Sequence, residues 1–226
     1  MRRQTPPGNA PMTTLPPTEL TRLEALAAIH HAFQSDPVII ALGTMVREML
    51  LVAGRQPNHL HVLDAMGLVP AITVGVAMSP NGAAHERVIG IEGDGGLLMG
   101  LSSIATIGAA RPENLVLIVL DNGVYAATGG QRTAAPHLDL AGMARACGFQ
   151  THDVRTAAGL AVAMLDAKAR PGPWLLRVAI GPKNQAAPYF LPDPVELAID
   201  FRRFLATPVE RPVAEAETPH ERRPGQ

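Results

Sequence analysis

Short apolar runs alternate with segments of helical periodicity along most of the chain. The runs are mostly rich in β-branched residues, as buried strands are, while the segments between them repeat apolar residues every three or four positions. This alternation predicts an α/β fold in which a parallel sheet is flanked by helices on both faces. The predicted strands lie at 38–42, 59–63, 88–91, 115–120 and 174–180, and the predicted helices at 18–34, 44–53, 67–78, 97–109, 138–147, 156–169 and 194–205.

The two ends of the chain have a different composition from its middle. Proline and small polar residues dominate positions 1–17, which cannot bury enough apolar surface to become ordered. Proline and charged residues return beyond Ala206. We therefore expect one folded domain at 18–206, between a disordered N-terminal arm at 1–17 and a disordered tail at 207–226.

Charge and composition exclude several classes of protein. The 226 residues are 47% hydrophobic and 17% charged with a net charge of -1, so nucleic acid is not an expected partner. No stretch is apolar over a length that would span a membrane, and no apolar run follows the two basic residues at the start, as a secretory signal would require. With Cys147 as the single cysteine, we expect no internal disulfide and a cytoplasmic location.

The most informative stretch is V-I-G-I-E-G-D-G-G-L-L-M-G, in which a predicted strand leads through glycines into a predicted helix. Ligands of open α/β sheets bind at the carboxyl ends of the strands. Gly93, Gly95 and Gly96 allow the backbone to approach a ligand closely, and free N–H groups at the start of a helix favour an anion such as a diphosphate. Asp94 supplies a hard oxygen ligand beside that anion, which suits Mg²⁺.

A second set of oxygen ligands follows the next strand, in Asp121-Asn122-Gly123. Asn122 lies 122 − 94 = 28 residues after Asp94, an interval that one helix and one strand fill. If the two strands are neighbours, both side chains reach the same edge of the sheet. Carboxylate, amide and carbonyl oxygens, completed by diphosphate oxygens and water, would give the octahedral shell that Mg²⁺ prefers.

These motifs together resemble the signature of the thiamine-diphosphate enzymes. E-G-D-G-G-L-L-M-G-L-S-S-I-A-T-I-G and V-L-D-N-G-V-Y-A-A-T-G-G-Q-R-T are similar to segments of the phosphonopyruvate and sulfopyruvate decarboxylases. The resemblance extends over roughly positions 18–206 and is strongest at 88–133. It implies the thiamine-diphosphate-binding fold, with thiamine diphosphate and Mg²⁺ as cofactors. It also implies Asp94, Asn122 and the carbonyl of Val124 as the metal ligands.

The same resemblance implies contacts with the cofactor in three further segments. D-A-M-G is similar to the family's G-S-M-G, which implies that Met66 and Gly67 contact the cofactor, with Met66 as the apolar support that keeps it bent. Asp64 and Ala65 depart from that pattern. G-T-M-V-R-E-M is similar to a strand-to-helix segment in which Thr44 would cap the helix, although the family's lysine is absent. In the T-G-G-Q-R-T loop, we expect Thr128 and Gln131 to contact cofactor or substrate.

The resemblance also implies a missing half. A glutamate on a separate pyrimidine-binding domain activates the cofactor in this family, and 226 residues leave room for the diphosphate-binding domain alone. We therefore expect a lyase subunit that forms a hetero-oligomer with a pyrimidine-domain partner and decarboxylates a small anionic 2-oxo acid. No catalytic side chain is assigned in this chain. Arg132 and Lys183 are hypotheses for contacts to the substrate anion.

Other functions stay open at this point. The chain would fit a subunit of another thiamine-diphosphate ligase or oxidoreductase, or a non-catalytic subunit that binds cofactor and partner. A nicotinamide- or flavin-binding module is disfavoured because the first strand lacks G-x-G-x-x-G. His59 and His61 share one face of a predicted strand, but no further ligand follows at a suitable spacing, so we interpret them as structural.

Overall fold

The computed structural model describes residues 20–181, 186–188 and 193–207. Strands and helices alternate through this part of the chain, as the hydrophobic pattern predicts. The strands are β1 (Val38–Ile40), β2 (His59–His61), β3 (Val88–Gly93), β4 (Leu115–Asp121), β5 (Val124–Tyr125), β6 (Gln131–Arg132), β7 (Gln150–Val154) and β8 (Trp174–Ala179). The helices are α1 (Arg22–Ala32), α2 (Thr44–Ala53), α3 (Val69–Met78), α4 (Asp94–Met99), α5 (Ser102–Ala110), α6 (Leu140–Ala146), α7 (Ala157–Ala169) and α8 (Pro194–Ala206).

Six strands form one parallel sheet in the order β2-β1-β3-β4-β8-β7. The connections from β1 to β2 and from β2 to β3 run in opposite directions across the sheet, so right-handed crossovers place α2 and α3 on opposite faces. Helices α1, α2 and α7 pack together on one face, and α3, α5 and α6 on the other. The predicted parallel α/β fold with helices on both faces is therefore confirmed.

The core lies on both sides of β3 and β4. All residues of β4 and the first five of β3 are buried, which is why both strands appear in the sequence as continuous apolar runs. Gly90 of β3 faces α3, where a Cβ atom would overlap the Thr73 hydroxyl. Glycine at this position therefore lets α3 cross close to the sheet, near the strands whose ends form the site.

Three features differ from the sequence prediction. The helix predicted at 97–109 is two helices, α4 and α5, separated at Gly100 and Leu101. Strand β7 was not predicted because Q-T-H-D-V is polar, as an edge strand tolerates. The hairpin of β5 and β6 was not predicted either, since two residues in each strand give no periodic signal.

The last helix follows its predicted capping. Asp193 is the N-cap of α8, its side chain accepts the Val195 N–H at 2.7 Å, and Pro194 is the first helical residue. The predicted arm at 1–17 lies outside the described residues, as does the predicted tail apart from Thr207. The division of the chain into arm, domain and tail stays a prediction.

One surface of α3 is apolar and exposed. Leu68 is 49% exposed and Met78 61% exposed, and the exposed Ala71 and Gly75 lie between them at helical spacing. No charged residue occurs within α3 itself.

Among the described residues, no helix is long and apolar enough to cross a bilayer.

Candidate functional site

A cleft of about 530 Å³, open to solvent, lies at the carboxyl ends of β1, β3 and β4. The chain leaves β1 toward β2 on one side and returns to β3 on the other, so this is the point at which the strand order reverses. Open α/β sheets bind ligands at such a point because the loops diverge there and leave a crevice. The predicted site residues that line the cleft are Thr44, Met66, Gly93, Asp94, Gly95, Gly96, Asn122 and Val124.

Asp94 is the buried acid at the end of this cleft. It is the first residue of α4 and is 1% exposed. Its Oδ2 accepts a hydrogen bond from the Thr133 hydroxyl at 2.5 Å, and its Oδ1 accepts the Asn122 N–H at 3.4 Å. Burial raises the pKa of Asp94 to about 6, and the Asp121 carboxylate adds to the rise, while both hydrogen bonds oppose it. A cation at this position would offset the cost of burying the charge.

Asn122 and Val124 belong to the loop that faces Asp94. The Asn122 Oδ1 accepts the Val124 N–H at 3.1 Å, and Gly123 between them has a φ of 71°. This Asx turn directs the loop back over the cleft, since glycine adopts the left-handed conformation without strain. Asp94, Asn122 and Val124 therefore come together across the 28-residue interval, as the sequence predicts.

The chemistry of these donors fits a magnesium ion bound to a phosphorylated ligand. Within the described ranges, no three His, Cys, Asp or Glu side chains converge to hold a metal by themselves. One carboxylate, one amide and one carbonyl are hard oxygen donors, but they fill only half of an octahedral shell. The remaining positions would have to come from the ligand and from water, which is how Mg²⁺ is usually held beside phosphates.

Asp121 precedes Asn122 but points away from the cleft. Its Oδ2 accepts hydrogen bonds from Arg177 Nε at 2.9 Å and Nη2 at 2.7 Å. Arg177 also contacts Asp153 at 2.8 Å. The guanidinium therefore compensates the charge of Asp121, and of these two aspartates Asp94 is the one available to a cation. The sequence offers no signal for Arg177, because its partners lie far away along the chain.

The glycines of the G-D-G-G stretch allow close packing around the cleft. A Cβ atom at Gly95 would overlap the ring of Tyr125, and one at Gly96 would overlap the carboxylate of Glu92. The N–H groups at the start of α4 have no partner from a preceding helical turn and are available to an anion. Since α4 has six residues, this contribution comes from local N–H groups more than from a long helix dipole.

The D-A-M-G segment forms the opposite wall. Met66 lines the cleft, whereas Gly67 lies behind it, with a φ of 85° and close contacts to Gly96 and Gly100. Asp64 has a φ of 52°, so this chain places a non-glycine residue in the left-handed region where the related pattern has glycine. The backbone conformation thus fits a glycine although the residue has changed.

Thr44 does not cap α2, and that prediction was wrong. Gly43 is the N-cap, with a φ of 77°, and Thr44 is the first helical residue. Its hydroxyl accepts a hydrogen bond from Arg47 at 3.3 Å, and the residue itself lines the cleft. The left-handed Gly43 turns the chain from β1 into α2, which is why the capping position falls one residue earlier.

Thr128 and Gln131 do not line the cleft. Both are exposed on the loop between β5 and β6, where the Thr128 hydroxyl donates to the Gln131 Oε1 at 3.0 Å. Their contact to cofactor or substrate stays a prediction. Arg132 follows on β6 and is exposed, while Lys183 lies outside the described residues.

Several cleft residues escaped the sequence analysis. Thr133 and Tyr125 contact Asp94 and Gly95, and β5 pairs with β6 to bring them there. Arg22 lines the cleft and forms a buried, bidentate ion pair with Glu48, at 2.8 and 2.9 Å. Of these, Thr133 and Tyr125 belong to the V-Y-A-A-T-G-G-Q-R-T motif, which is the signal that could have identified them.

His59 and His61 lie on one face of β2, as predicted. Both are buried, and neither imidazole has a hydrogen-bond partner. The rings of His30 and His59 are 5.4 Å apart and those of His59 and His61 6.4 Å apart. Burial lowers the pKa of His59 to about 3 and that of His61 to about 4, so both are neutral at physiological pH.

Comparison with known proteins identifies the kind of domain. Residues 43–178 match the family described as thiamine pyrophosphate enzyme, C-terminal TPP binding domain. A phosphonopyruvate decarboxylase of Streptomyces viridochromogenes is 37% identical over 196 residues, which cover 85% of this chain and 47% of that protein. The sulfopyruvate decarboxylase subunit beta of Methanothermobacter thermautotrophicus is 35% identical over 169 residues, covering 75% of this chain and 86% of the subunit.

Solved structures agree on the fold. Benzoylformate decarboxylase of Polynucleobacter necessarius has a TM-score of 0.62 at 20% identity, covering 78% of this chain and 36% of the other. A thiamine diphosphate-dependent 4-hydroxybenzoylformate decarboxylase of Rhodococcus jostii has a TM-score of 0.60 at 19% identity, covering 80% and 36%. This chain spans about half the length of the phosphonopyruvate decarboxylases that it matches. By sequence, fold and the position of its cleft, the chain belongs to the thiamine pyrophosphate enzymes and carries their C-terminal TPP-binding domain.

Proposed function

We propose that this chain is the thiamine-diphosphate- and Mg²⁺-binding subunit of a split 2-oxo-acid decarboxylase. The substrate would be sulfopyruvate or phosphonopyruvate, and the products an aldehyde and carbon dioxide. The observation that carries the proposal is the convergence of Asp94, Asn122 and Val124 in a chain that matches 86% of a sulfopyruvate decarboxylase beta subunit. The cytoplasmic location inferred from the sequence stays a prediction.

Different residues of the cleft would bind the metal, the diphosphate and the organic part of the cofactor. Asp94, the Asn122 side chain and the Val124 carbonyl would hold Mg²⁺, and the N–H groups of Gly95 and Gly96 would face the diphosphate. Met66 would support the organic part of the cofactor. When bound, thiamine diphosphate supplies the carbanion that adds to the 2-oxo acid and takes up the electrons released with carbon dioxide. The residues of this chain would orient the cofactor for that reaction.

The acidic residues of the cleft favour a partner subunit as the source of the activating glutamate. Among the described residues that line it, the acids are Glu92 and Asp94. Asp94 is committed to the metal in this proposal, and Glu92 faces α4 instead of open space. A glutamate that activates the cofactor would then come from a pyrimidine-domain subunit, in keeping with the name "subunit beta" of several relatives.

Calorimetric titration tests the cofactor assignment. Thiamine diphosphate with Mg²⁺ is titrated into the chain alone and into a mixture with a candidate pyrimidine-domain polypeptide. We expect binding that requires Mg²⁺ and the partner and is lost in Asp94→Asn. Asp36→Asn is the matched control, since Asp36 is a partly buried carboxylate that precedes β1, at the amino ends of the strands and away from the cleft. Absence of binding in every mixture would contradict the proposal.

Product analysis then separates the remaining functions. Release of carbon dioxide and free aldehyde from sulfopyruvate or phosphonopyruvate is the expected result. A condensed or oxidised product would instead identify a ligase or oxidoreductase subunit. Cofactor and partner binding without turnover of any 2-oxo acid would identify a non-catalytic subunit.

A further inference from the structure

Glu92 is a buried acid that the proposed chemistry does not use. It lies in β3 two residues before Asp94 and is 2% exposed. Its Oε1 accepts the N–H of Gly93 at 3.0 Å, whereas its Oε2 is buried and has no hydrogen-bond partner within the described part of the chain. A buried carboxylate is costly unless its surroundings compensate it, so its contacts require an explanation.

Those contacts join two separate parts of the cleft. On one side the carboxylate fills the space beside Gly96 of α4 that a Cβ atom would occupy. On the other side lie the backbone N–H groups of Val69 and Gly67, which limit the rise in the pKa of Glu92 that burial takes to about 7. These N–H groups belong to the end of the Met66 turn, residues 65–68, and to the first residue of α3.

The same two parts also meet through their backbones. A Cβ atom at Gly67 would lie 2.9 Å from the Gly100 nitrogen and 3.0 Å from the Gly96 oxygen, and one at Gly100 would overlap the Gly67 oxygen. Gly96 and Gly100, one helical turn apart, therefore give the Met66 turn a flat surface to rest on. Contact between backbones without side chains excludes overlap but gives little directional preference, which a carboxyl oxygen that accepts hydrogen bonds from N–H groups does provide.

We propose that Glu92 is a positioning residue, whose buried carboxylate joins the Met66 turn to α4 and so fixes Met66 relative to Asp94. This inference rests on the proposed function, because Met66 and Asp94 are the residues assigned to the organic part and the metal-diphosphate part of the cofactor. Glu92 faces α4 and is assigned no contact with either part. Its replacement alters the distance between two walls that are otherwise intact.

Glu92→Gln is the first variant because it keeps the shape of the side chain. Its amide group, however, places N–H donors among the N–H groups of Gly67, Val69 and Gly93, which repel it. Glu92→Asp is the second variant, since it keeps the charge but shortens the reach by one methylene. Asp36→Asn is again the control for the loss of a carboxylate far from the cleft.

Binding of two different ligands distinguishes a positioning role of Glu92 from a general role in keeping the site folded. Mg²⁺ with inorganic pyrophosphate probes the Asp94 side alone, and Mg²⁺ with thiamine diphosphate probes both walls. The affinities are measured by calorimetry on the full chain, with the partner subunit where the wild type requires it. We expect Glu92→Gln to weaken thiamine diphosphate binding about tenfold, which corresponds to about 1.4 kcal/mol, while pyrophosphate binding changes by less than about twofold.

A double-mutant cycle with Met66→Ala completes the test. If Glu92 acts through Met66, the effect of Glu92→Gln on thiamine diphosphate binding disappears in the Met66→Ala background. Equal losses for both ligands, no loss for either, or additive effects in the cycle would each overturn the inference. If Glu92→Gln unfolds, Glu92→Asp is judged by the same criteria. A wild type that binds pyrophosphate but not thiamine diphosphate, or neither ligand, would overturn the proposed function together with this inference.

Discussion

At the scale of single residues, Asp64 holds a conformation that its side chain disfavours. Its φ of 52° lies in the left-handed region, which costs an L residue roughly 1 kcal/mol relative to glycine. We expect Asp64→Gly to raise the free energy of unfolding by about 0.5–1 kcal/mol, measured by urea denaturation. The gain is less than the full strain because glycine also makes the unfolded chain more flexible.

Glu113→Gly is the control for Asp64→Gly. Glu113 is an exposed acid in a loop and does not have a positive φ, so glycine relieves no strain there. This variant should be neutral or slightly destabilised. Equal changes in both variants would show that the backbone of Asp64 is not strained in solution.

The buried histidines predict a loss of stability in mild acid. The pKa of His59 falls to about 3 and that of His61 to about 4, both below the ordinary value of 6.5. Because the unfolded chain takes up these protons first, the free energy of unfolding is highest above pH 6.5. It should fall as the pH drops from 6.5 toward 4, by at most about 1.4 kcal/mol per pH unit for each histidine.

Urea denaturation at pH 7, 6 and 5 tests the role of His59. His59→Phe removes one titrating group, so its slope of stability against pH between 7 and 5 should be shallower than that of the wild type. His31→Phe replaces an exposed histidine and should keep the wild-type slope. Identical slopes for all three proteins would contradict the prediction.

At the scale of elements, a buried ion pair joins α1 to α2. Arg22 and Glu48 are 5% and 1% exposed, and their two hydrogen bonds measure 2.8 and 2.9 Å. Glu48→Gln would leave the buried guanidinium without its counter-charge, and we expect a loss of about 3 kcal/mol in the free energy of unfolding. The double variant Arg22→Met/Glu48→Leu should recover much of that loss, because it buries no charge.

The pair between Arg55 and Glu196 supplies a matched contrast. It also joins two elements, at 3.0 Å, but the two side chains are 39% and 63% exposed. Glu196→Gln is expected to change the free energy of unfolding by less than about 0.5 kcal/mol. If the two glutamine variants lose equal stability, the burial of the Arg22–Glu48 pair does not determine its contribution.

The elements also indicate how far the sequence predicts the fold. Segments with one apolar face were placed closely, as α2 and α8 illustrate, and α8 also has a clear N-cap. The segment predicted as one helix at 97–109 forms two helices. The sequence did not predict the interruption, because M-G-L-S keeps a helical pattern although the chain bends at Gly100. Gly100 is fixed by its contact with Gly67, which is a tertiary feature and leaves no local periodicity.

The same distinction holds for the site. Asp94 and Asn122 follow strands and could be placed at the sheet edge from the sequence, since parallel strands share their carboxyl ends. Thr133 and Glu92 depend on which segments meet across the cleft, and propensity and spacing do not encode that. The capping residue of α2 was missed for a local reason, namely the left-handed Gly43.

At the scale of the whole molecule, the exposed apolar side of α3 affects the behaviour of the chain in isolation. Leu68, Ala71, Gly75 and Met78 form an uncharged surface on the outside of the fold. Such surfaces favour association in water. We expect the purified chain to self-associate at high concentration, and Met78→Lys to shift sedimentation velocity profiles toward the monomer. Val162→Lys is the control, since Val162 is 57% exposed on α7 on the opposite face.

The end of β4 also determines which of its side chains faces the cleft. Successive residues of a strand point to opposite sides, so Asp121 meets Arg177 while Asn122 meets the cleft. Exchanging the two residues would leave an amide against the guanidinium and place a second carboxylate beside Asp94. The order Asp-Asn thus gives each buried aspartate one compensating cation, which is Arg177 for Asp121 and, in the proposed function, Mg²⁺ for Asp94.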